Sequence, residues 1–372
     1  MPTEQNSITP LLKKKQEKSL DAVKYRKKKV LLIGPYPPPY GGVSVHILRF
    51  KNLLKDSFNF NYIDESGSIK KEYFNLRSLK IFTYIKAIAN TEIIFVHSGN
   101  LLVRLFHVFM GKMFSKKTIL VLHGFTSKPP KIVFHLLGLI YRSADLIIAV
   151  NSDIKSRLKL PAKKCVIKEA FIPPVIKDEP ELPEDISNLL NKYKKQGITI
   201  ICANAFRLEK YKNQDLYGLD LCIEVTKRLV EKKVPFIFIF VVSSIEQNSD
   251  LYYKSESLIK ELNLNEHFFL INERLSFVKL MQESDIIVRP TNTDGDSLTI
   301  REALFLNKKI LTSDVVERPA GVILFKNRDI DDLEIQLETL LSRKNDGVNS
   351  TKNYNQLNEE LKKFYSDLIY EI

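Results

Sequence analysis

The chain has 372 residues, 44% of them hydrophobic and 27% charged, with a net charge of +13. That length and apolar content suit two folded α/β domains with cores of their own, and they exclude a disordered or fibrous protein. No apolar run nears the roughly 20 residues that span a bilayer, and Cys165, Cys202 and Cys222 lack metal-ligand spacing, as buried thiols in a reducing cytosol would.

Residues 1–29 hold nine Lys or Arg against three acids, with no apolar signal core behind the basic start. The favoured reading is a solvated tail, and the other is a segment lying on anionic lipid. Because the basic residues are not interleaved with an aromatic stacking platform, no nucleic-acid partner is expected. From residue 29 the chain alternates strand-like and helix-like segments. Strands are predicted at 29–33, 60–63, 92–97, 118–122, 145–150 and 165–168, with helices at 43–54, 76–89, 101–114, 132–141 and 153–158. Residues 172–196 then turn rich in Pro and charge, with Pro173, Pro174, Pro180 and Pro183, which reads as a linker leading into a short helix.

The alternation resumes with strands at 198–203, 236–242, 267–271, 285–288 and 309–312, and helices at 219–231, 251–262, 276–283 and 297–306. A last helical period covers 354–369. Two successive doubly wound parallel sheets are the expected architecture, facing each other across a cleft where ligands bind beyond the strand ends. The expected divisions are a basic tail (1–28), a first domain (29–175), a linker (176–196), a second domain (197–345) and a C-terminal helix (346–372).

The densest chemistry lies in Arg289-Pro290-Thr291-Asn292-Thr293-Asp294-Gly295-Asp296-Ser297-Leu298-Thr299-Ile300-Arg301-Glu302-Ala303-Leu304. It reads as strand end, turn and helix start, with Ser297 a suitable N-cap and free amides on which a phosphate can sit. Asp294 precedes the helix and Glu302 lies more than a turn inside it, so the two acids address different parts of an elongated ligand. Asp294 and Asp296 also form an Asp-x-Asp, the pattern of a metal site in another architecture, but the helix start already supplies positive potential for phosphate.

This stretch resembles the acid-x7-acid signature of retaining glycosyltransferases of the GT-B fold, especially glycosyltransferase family 4. The usual Glu-Gly-Phe-Gly-Leu is here Asp294-Gly295-Asp296-Ser297-Leu298, followed by Glu302-Ala303. The resemblance implies that Asp294 accepts from donor-sugar hydroxyls, that the amides of Ser297 and Leu298 hold the distal phosphate, and that Glu302 takes the ribose hydroxyls. Asp for Glu at 294, Asp for Phe at 296 and Ser for Gly at 297 are departures from the pattern.

Four further segments fit the same resemblance. After the first strand, four prolines stiffen a loop that ends in Gly41-Gly42, where backbone can approach a donor phosphate or acceptor closely. His123 ends the strand Leu120-Val121-Leu122, where family members place a His against the donor sugar; an ordinary near-neutral pKa suits proton handling, but positioning is the role assigned first. His97 ends the preceding strand and is assigned to the acceptor side. In Ala203-Asn204-Ala205-Phe206-Arg207-Leu208-Glu209-Lys210-Tyr211-Lys212, Arg207 and a lysine, Lys212 rather than Lys210, would stabilise the departing diphosphate. The loop Val315 to Val322 is expected to edge the donor pocket, with no individual role.

The expectation is a retaining, metal-independent glycosyltransferase with no cofactor beyond its nucleotide-sugar co-substrate, UDP- or GDP-linked. The acceptor is a glycan or lipid-linked saccharide, in bacterial capsule, exopolysaccharide or lipopolysaccharide synthesis. The location is cytoplasmic. The run 101–117, with Arg104, Lys112, Lys116 and Lys117 among apolar residues, suits either a crossover helix packed on the first sheet or a contact with the inner face of the plasma membrane. The alternatives are a GT-B-fold nucleotide-sugar epimerase and a non-catalytic scaffold.

Overall fold

A computed structural model describes residues 26–38, 40–124, 131–245, 249–342 and 354–372. Most of the basic N-terminal tail and the expected boundary near 345 lie outside the described residues. The first sheet gathers β1 (Lys29–Gly34), β2 (Asn59–Asp64), β3 (Phe74–Asn75), β4 (Ile93–Val96), β5 (Lys117–Leu122), β6 (Leu146–Ala149) and β7 (Cys165–Ile167). All seven strands are parallel, in the order β3-β2-β1-β4-β5-β6-β7. Helices α1 (Gly42–Leu54), α2 (Ile81–Ala89), α3 (Leu101–Met113), α4 (Lys131–Tyr141) and α5 (Ser152–Arg157) alternate with them.

The Pro-rich stretch leads into α6 (Glu184–Lys195), whose Ile186, Leu190 and Tyr193 pack on the second sheet. That sheet holds β8 (Thr199–Ala205), β11 (Phe236–Val242), β12 (Phe268–Ile271), β13 (Ile286–Arg289), β14 (Lys309–Ser313) and β15 (Ile323–Phe325), all parallel, in the order β12-β11-β8-β13-β14-β15. Every residue of β11, Phe-Ile-Phe-Ile-Phe-Val-Val, is buried, because helices cover both faces of a parallel sheet. Its helices are α7 (Leu219–Glu231), α8 (Ser249–Glu261), α9 (Phe277–Glu283), α10 (Leu298–Phe305) and α11 (Ile330–Ser342).

The last helix, α12 (Tyr354–Glu371), lies against the first domain. Leu361, Tyr365, Leu368 and Ile369 join the cluster of Val30, Ile47 and Phe50, and the Tyr365 ring meets the Phe50 ring edge-on at 4.9 Å. Lys28 closes the contact by donating from Nζ to the Ile369 carbonyl at 3.0 Å.

Several details depart from the sequence prediction. The helix expected at 76–89 breaks: a 3-10 turn at Leu76–Ser78, capped by the Asn75 side chain, ends on left-handed Leu79, and α2 starts at Ile81. The segment after Arg207 folds into an antiparallel hairpin of β9 (Lys210–Tyr211) and β10 (Gln214–Asp215), with Lys212 and Asn213 at positive φ in its turn. Strands β3 and β15 and helix α11 lie beyond the predicted elements.

The topology decides where a ligand can lie. Strand order reverses at β1/β4 in the first sheet and at β8/β13 in the second, and the crevice beyond the carboxyl ends of such a pair is where doubly wound sheets bind ligands. The loops leaving those strands carry Gly41-Gly42, His97, Arg207 and the 290–297 turn.

Candidate active site in the interdomain cleft

Glu302 sits one turn inside α10, buried, and points across the cleft at the first domain. Arg49 of α1 donates from Nη2 to its Oε1 at 2.6 Å, and the same guanidinium lies 3.7 Å from Glu179 and donates to the Ile172 carbonyl at 3.2 Å. Burial raises the Glu302 pKa, Arg49 opposes that rise and Glu179 adds to it. One arginine therefore holds helix, linker and second domain together. No sequence motif marks Arg49 for this role, because it lies on an ordinary helix 253 positions from its partner.

Asp294 is held from inside its own domain. Its Oδ2 accepts from Arg318 Nη1 at 3.0 Å and Thr291 Oγ1 at 3.1 Å, with Arg289 Nε at 3.5 Å. Burial acts to raise its pKa, but Arg289 and Arg318 outweigh burial and leave it lowered. Among the described residues Oδ1 accepts the Gly295 amide alone, at 3.0 Å. Arg318 comes from the loop after β14, to which the sequence assigned no individual chemistry, and Arg289 ends β13. Asp296 pairs with Arg301 at 2.8 Å, and Arg301 also crosses the cleft to Glu169 at 2.6 Å.

Ser297 occupies the N-cap position of α10 but makes no capping bond, and its buried Oγ has no partner among the described residues. The expected side-chain cap is thus corrected. The amides of Ser297 and Leu298 stand at the helix start, where positive potential is concentrated. Behind the turn, Gly218 caps α7 at φ +69°, and a Cβ there would lie 2.5 Å from the Pro290 carbonyl oxygen. Backbone contact at that point fixes the 290–297 loop.

On the opposite wall, Gly41 caps α1, with its amide donating to Ser44 Oγ at 2.8 Å. A Cβ at Gly42 would meet nothing within 4 Å, so open space faces this backbone. A cavity of about 110 Å³ is lined here by Gly42, His123, Ala170, Asp296, Leu298 and Arg301 among others. It brings the Gly41-Gly42 loop and the α10 start to one place.

His97 and His123 touch, with Nδ1 of His97 3.0 Å from Nε2 of His123, and His46 of α1 joins them with ring centroids 5.5 and 4.9 Å away. Burial lowers both pKa values well below the usual histidine range, and the neighbouring imidazoles lower them further. Both shifts run away from the near-neutral range on which proton handling by His123 would depend. His46, which no motif singled out, is the third member.

The expected diphosphate cations are placed less tightly. Arg207 donates from Nε to Glu209, and Lys212 stands exposed at the hairpin turn with its ammonium 5.5 Å from the Tyr211 ring centroid. Among the described residues Lys212 makes no ion pair. Arg104, grouped by its sequence position with the surface lysines of α3, is instead buried, donating to the Ser98 carbonyl at 2.7 and 2.9 Å and to Tyr141 at 3.0 Å.

No protein-family model matches the sequence, and no curated protein sequence matches it. Solved structures do. HepE of Anabaena in complex with UDP-glucose superposes with a TM-score of 0.70 at 13% identity, over 93% of this chain and all of that one. The fold is GT-B. A glycosyltransferase from Rickettsia africae gives 0.64 at 17% identity, over 86% of this chain and 89% of that one. The trehalose-6-phosphate synthase OtsA gives 0.61 at 14% identity, over 84% and 91%. The GT-B frame accounts for the two parallel sheets and for a cleft lined by their carboxyl ends.

Proposed function

We propose that this GT-B protein is a retaining glycosyltransferase that moves a hexose or related sugar from a nucleoside-diphosphate donor, UDP- or GDP-linked, to a hydroxyl of a glycan or lipid-linked saccharide. The observation that carries the reading is the α10 start: a buried acid in Glu302, a second acid in Asp294 whose Oδ1 accepts one hydrogen bond among the described residues, and between them a Ser297 hydroxyl with no partner among those residues, at a helix N-terminus. Ribose hydroxyls on Glu302, phosphate oxygens on Ser297 and Leu298, and sugar hydroxyls on Asp294 satisfy each group in turn. HepE, of the same fold, binds UDP-glucose.

Attack comes from the face on which the donor phosphate leaves, and that phosphate accepts the acceptor proton. Arg207, a lysine of the hairpin and the α10 amides stabilise its charge. Both carboxylates of the Asp-x-Asp are matched with arginines, Asp294 with Arg318 and Asp296 with Arg301, which favours transfer without a divalent metal at that motif. Synthesis of a bacterial surface polysaccharide on the cytoplasmic face of the membrane fits this chemistry. No helix among the described residues is long and apolar enough to cross a membrane. Yet α2 and α3, joined by the Tyr84–Phe106 ring contact at 5.3 Å, expose Phe82 (85%), Leu102 (74%) and Phe109 (64%), and the same two helices carry the exposed Lys86 and Lys112. Exposed apolar side chains on helices that also carry lysines suit an anionic lipid interface.

The test is calorimetric titration of UDP, GDP, CDP and dTDP, in EDTA, into wild type and Glu302→Ala. One nucleotide is expected to bind, and the substitution to weaken it at least tenfold. Binding of none, or equal binding by both proteins, would overturn the assignment.

A further inference from the structure

The three-histidine cluster beneath the cleft has more donor capacity than the fold uses. His46, His97 and His123 each offer a ring nitrogen, and these three atoms lie within 4.8 Å of one another. They come from α1 and from the ends of β4 and β5, elements fixed by the first sheet, and Gly34 lets them approach: a Cβ there would lie 2.8 Å from Ile47 Cδ1 and 3.0 Å from His97 Cβ. His46 bonds the Ala170 carbonyl through Nδ1 at 2.8 Å. A carbonyl only accepts, so Nδ1 carries the proton and Nε2 keeps its lone pair. A backbone carbonyl fixing the tautomer in this way is the usual outer support of a metal-ligating histidine. Nε2 of His97 makes no hydrogen bond among the described residues, and the nitrogen that His97 presents to His123 is Nδ1.

We propose that His46, His97 and His123 form a binding site for a zinc-class divalent cation, with the fourth coordination position open to the cleft through His123. Imidazole nitrogens suit zinc, cobalt and nickel and not magnesium or calcium. Three histidines with an open fourth position is an established zinc geometry, with Zn–N near 2.0–2.1 Å and thus ligand nitrogens about 3.3 Å apart. The His97 and His123 nitrogens at 3.0 Å are already near that spacing. The third ring needs to move by on the order of one ångström. His123 lines the cavity with Gly42 and Leu298, so a cation here lies under the substrate. Resting on the transferase reading, occupancy then inhibits transfer reversibly, although transfer itself needs no metal.

The experiment titrates Zn²⁺ alone into the full chain by calorimetry and records the visible spectrum with Co²⁺. One equivalent and the intense bands of tetrahedral Co²⁺ are expected. His46→Phe and His97→Phe, checked for folding by circular dichroism, should each weaken Zn²⁺ at least ~100-fold, one ligand mattering at least as much as an outer-shell partner. His267→Gln, away from the cluster, should leave Zn²⁺ binding unchanged. No binding by wild type, a pale octahedral Co²⁺ spectrum, or equal affinity in wild type and His46→Phe would overturn the site. The Co²⁺ spectrum of wild type decides the matter if both variants misfold. A parallel titration of UDP, GDP, CDP and dTDP keeps the readings apart: binding of none of them by wild type sinks the transferase assignment and leaves the metal result standing.

Discussion

Replacing Arg49 by Met keeps an unbranched, flexible side chain, shorter than arginine, and removes the charge from the contact that joins the domains. Glu302 then faces the cleft buried, without its 2.6 Å partner, and Glu179 loses a neighbour at 3.7 Å. Breaking a buried pair by removing one member costs about 3–5 kcal/mol, because the remaining charge is uncompensated. A domain of this size loses roughly 2–4 °C in Tm per kcal/mol, so Arg49→Met should melt at least about 6 °C below wild type at pH 8. The pH dependence identifies the cause. Burial raises the Glu302 pKa even with Arg49 present, and removing Arg49 raises it further. The folded state then holds a proton the unfolded chain has released, so stability falls as pH rises from the unfolded carboxylate value through the folded pKa, by up to about 1.4 kcal/mol per unit. The deficit of Arg49→Met should therefore shrink at pH 5. Adding Glu302→Gln should recover most of it at pH 8. The assay is calorimetric melting of wild type, Arg49→Met and Arg49→Met/Glu302→Gln at pH 5 and 8. A loss under about 1 kcal/mol that does not change with pH would refute the reasoning, since an unpartnered buried carboxylate cannot be that cheap.

Asp294→Asn should lower stability by several kcal/mol, on the order of the 3–5 found for broken buried pairs, because Arg289 and Arg318 would be left facing each other. The wild-type contribution of Asp294, whose folded pKa is lowered, is present above the ordinary carboxylate range and is lost as pH falls through the folded value, which melting curves below pH 4 would record. Gly218→Ala combines a left-handed backbone with a contact of 2.5 Å to Pro290. It should cost more than the ~1 kcal/mol of a strained αL residue alone, and urea unfolding would measure it. A Phe82→Ser/Phe109→Ser variant should sediment with anionic liposomes at least about tenfold less than wild type at low salt, since burying one Phe side chain contributes ~1.5–3 kcal/mol. Equal sedimentation would remove these helices from the proposed lipid contact.

Much of the architecture was legible because its signals are local. β11 is an unbroken apolar run, α7 has the apolar spacing of a helix with one buried face, and the turn at 290–297 joins a strand to a helix in one contiguous segment. Helix α11 carried the same signal in Leu333, Leu337 and Leu340, whereas β3 and β15 are two and three residues long and offer too few positions for a period. The hairpin after Arg207 was hidden because its turn places Lys212 and Asn213 at positive φ without a glycine to announce it.

The sequence by itself determined the periodicities, the acids at 294 and 302, the paired glycines and the histidines that close two strands, since each is set by neighbours within a few positions. Only the tertiary structure decided what those groups meet. Arg49 reaches Glu302 across 253 positions, and Arg301 reaches Glu169 across 132. His46 joins His97 and His123 because α1 packs beside the ends of β4 and β5. Arg104 looks like a surface cation from its helix and is buried because Ser98 and Tyr141 come to it from other elements. Charge pairing and burial depend on distance in space, and the crossover connections of parallel sheets place distant segments of the chain side by side.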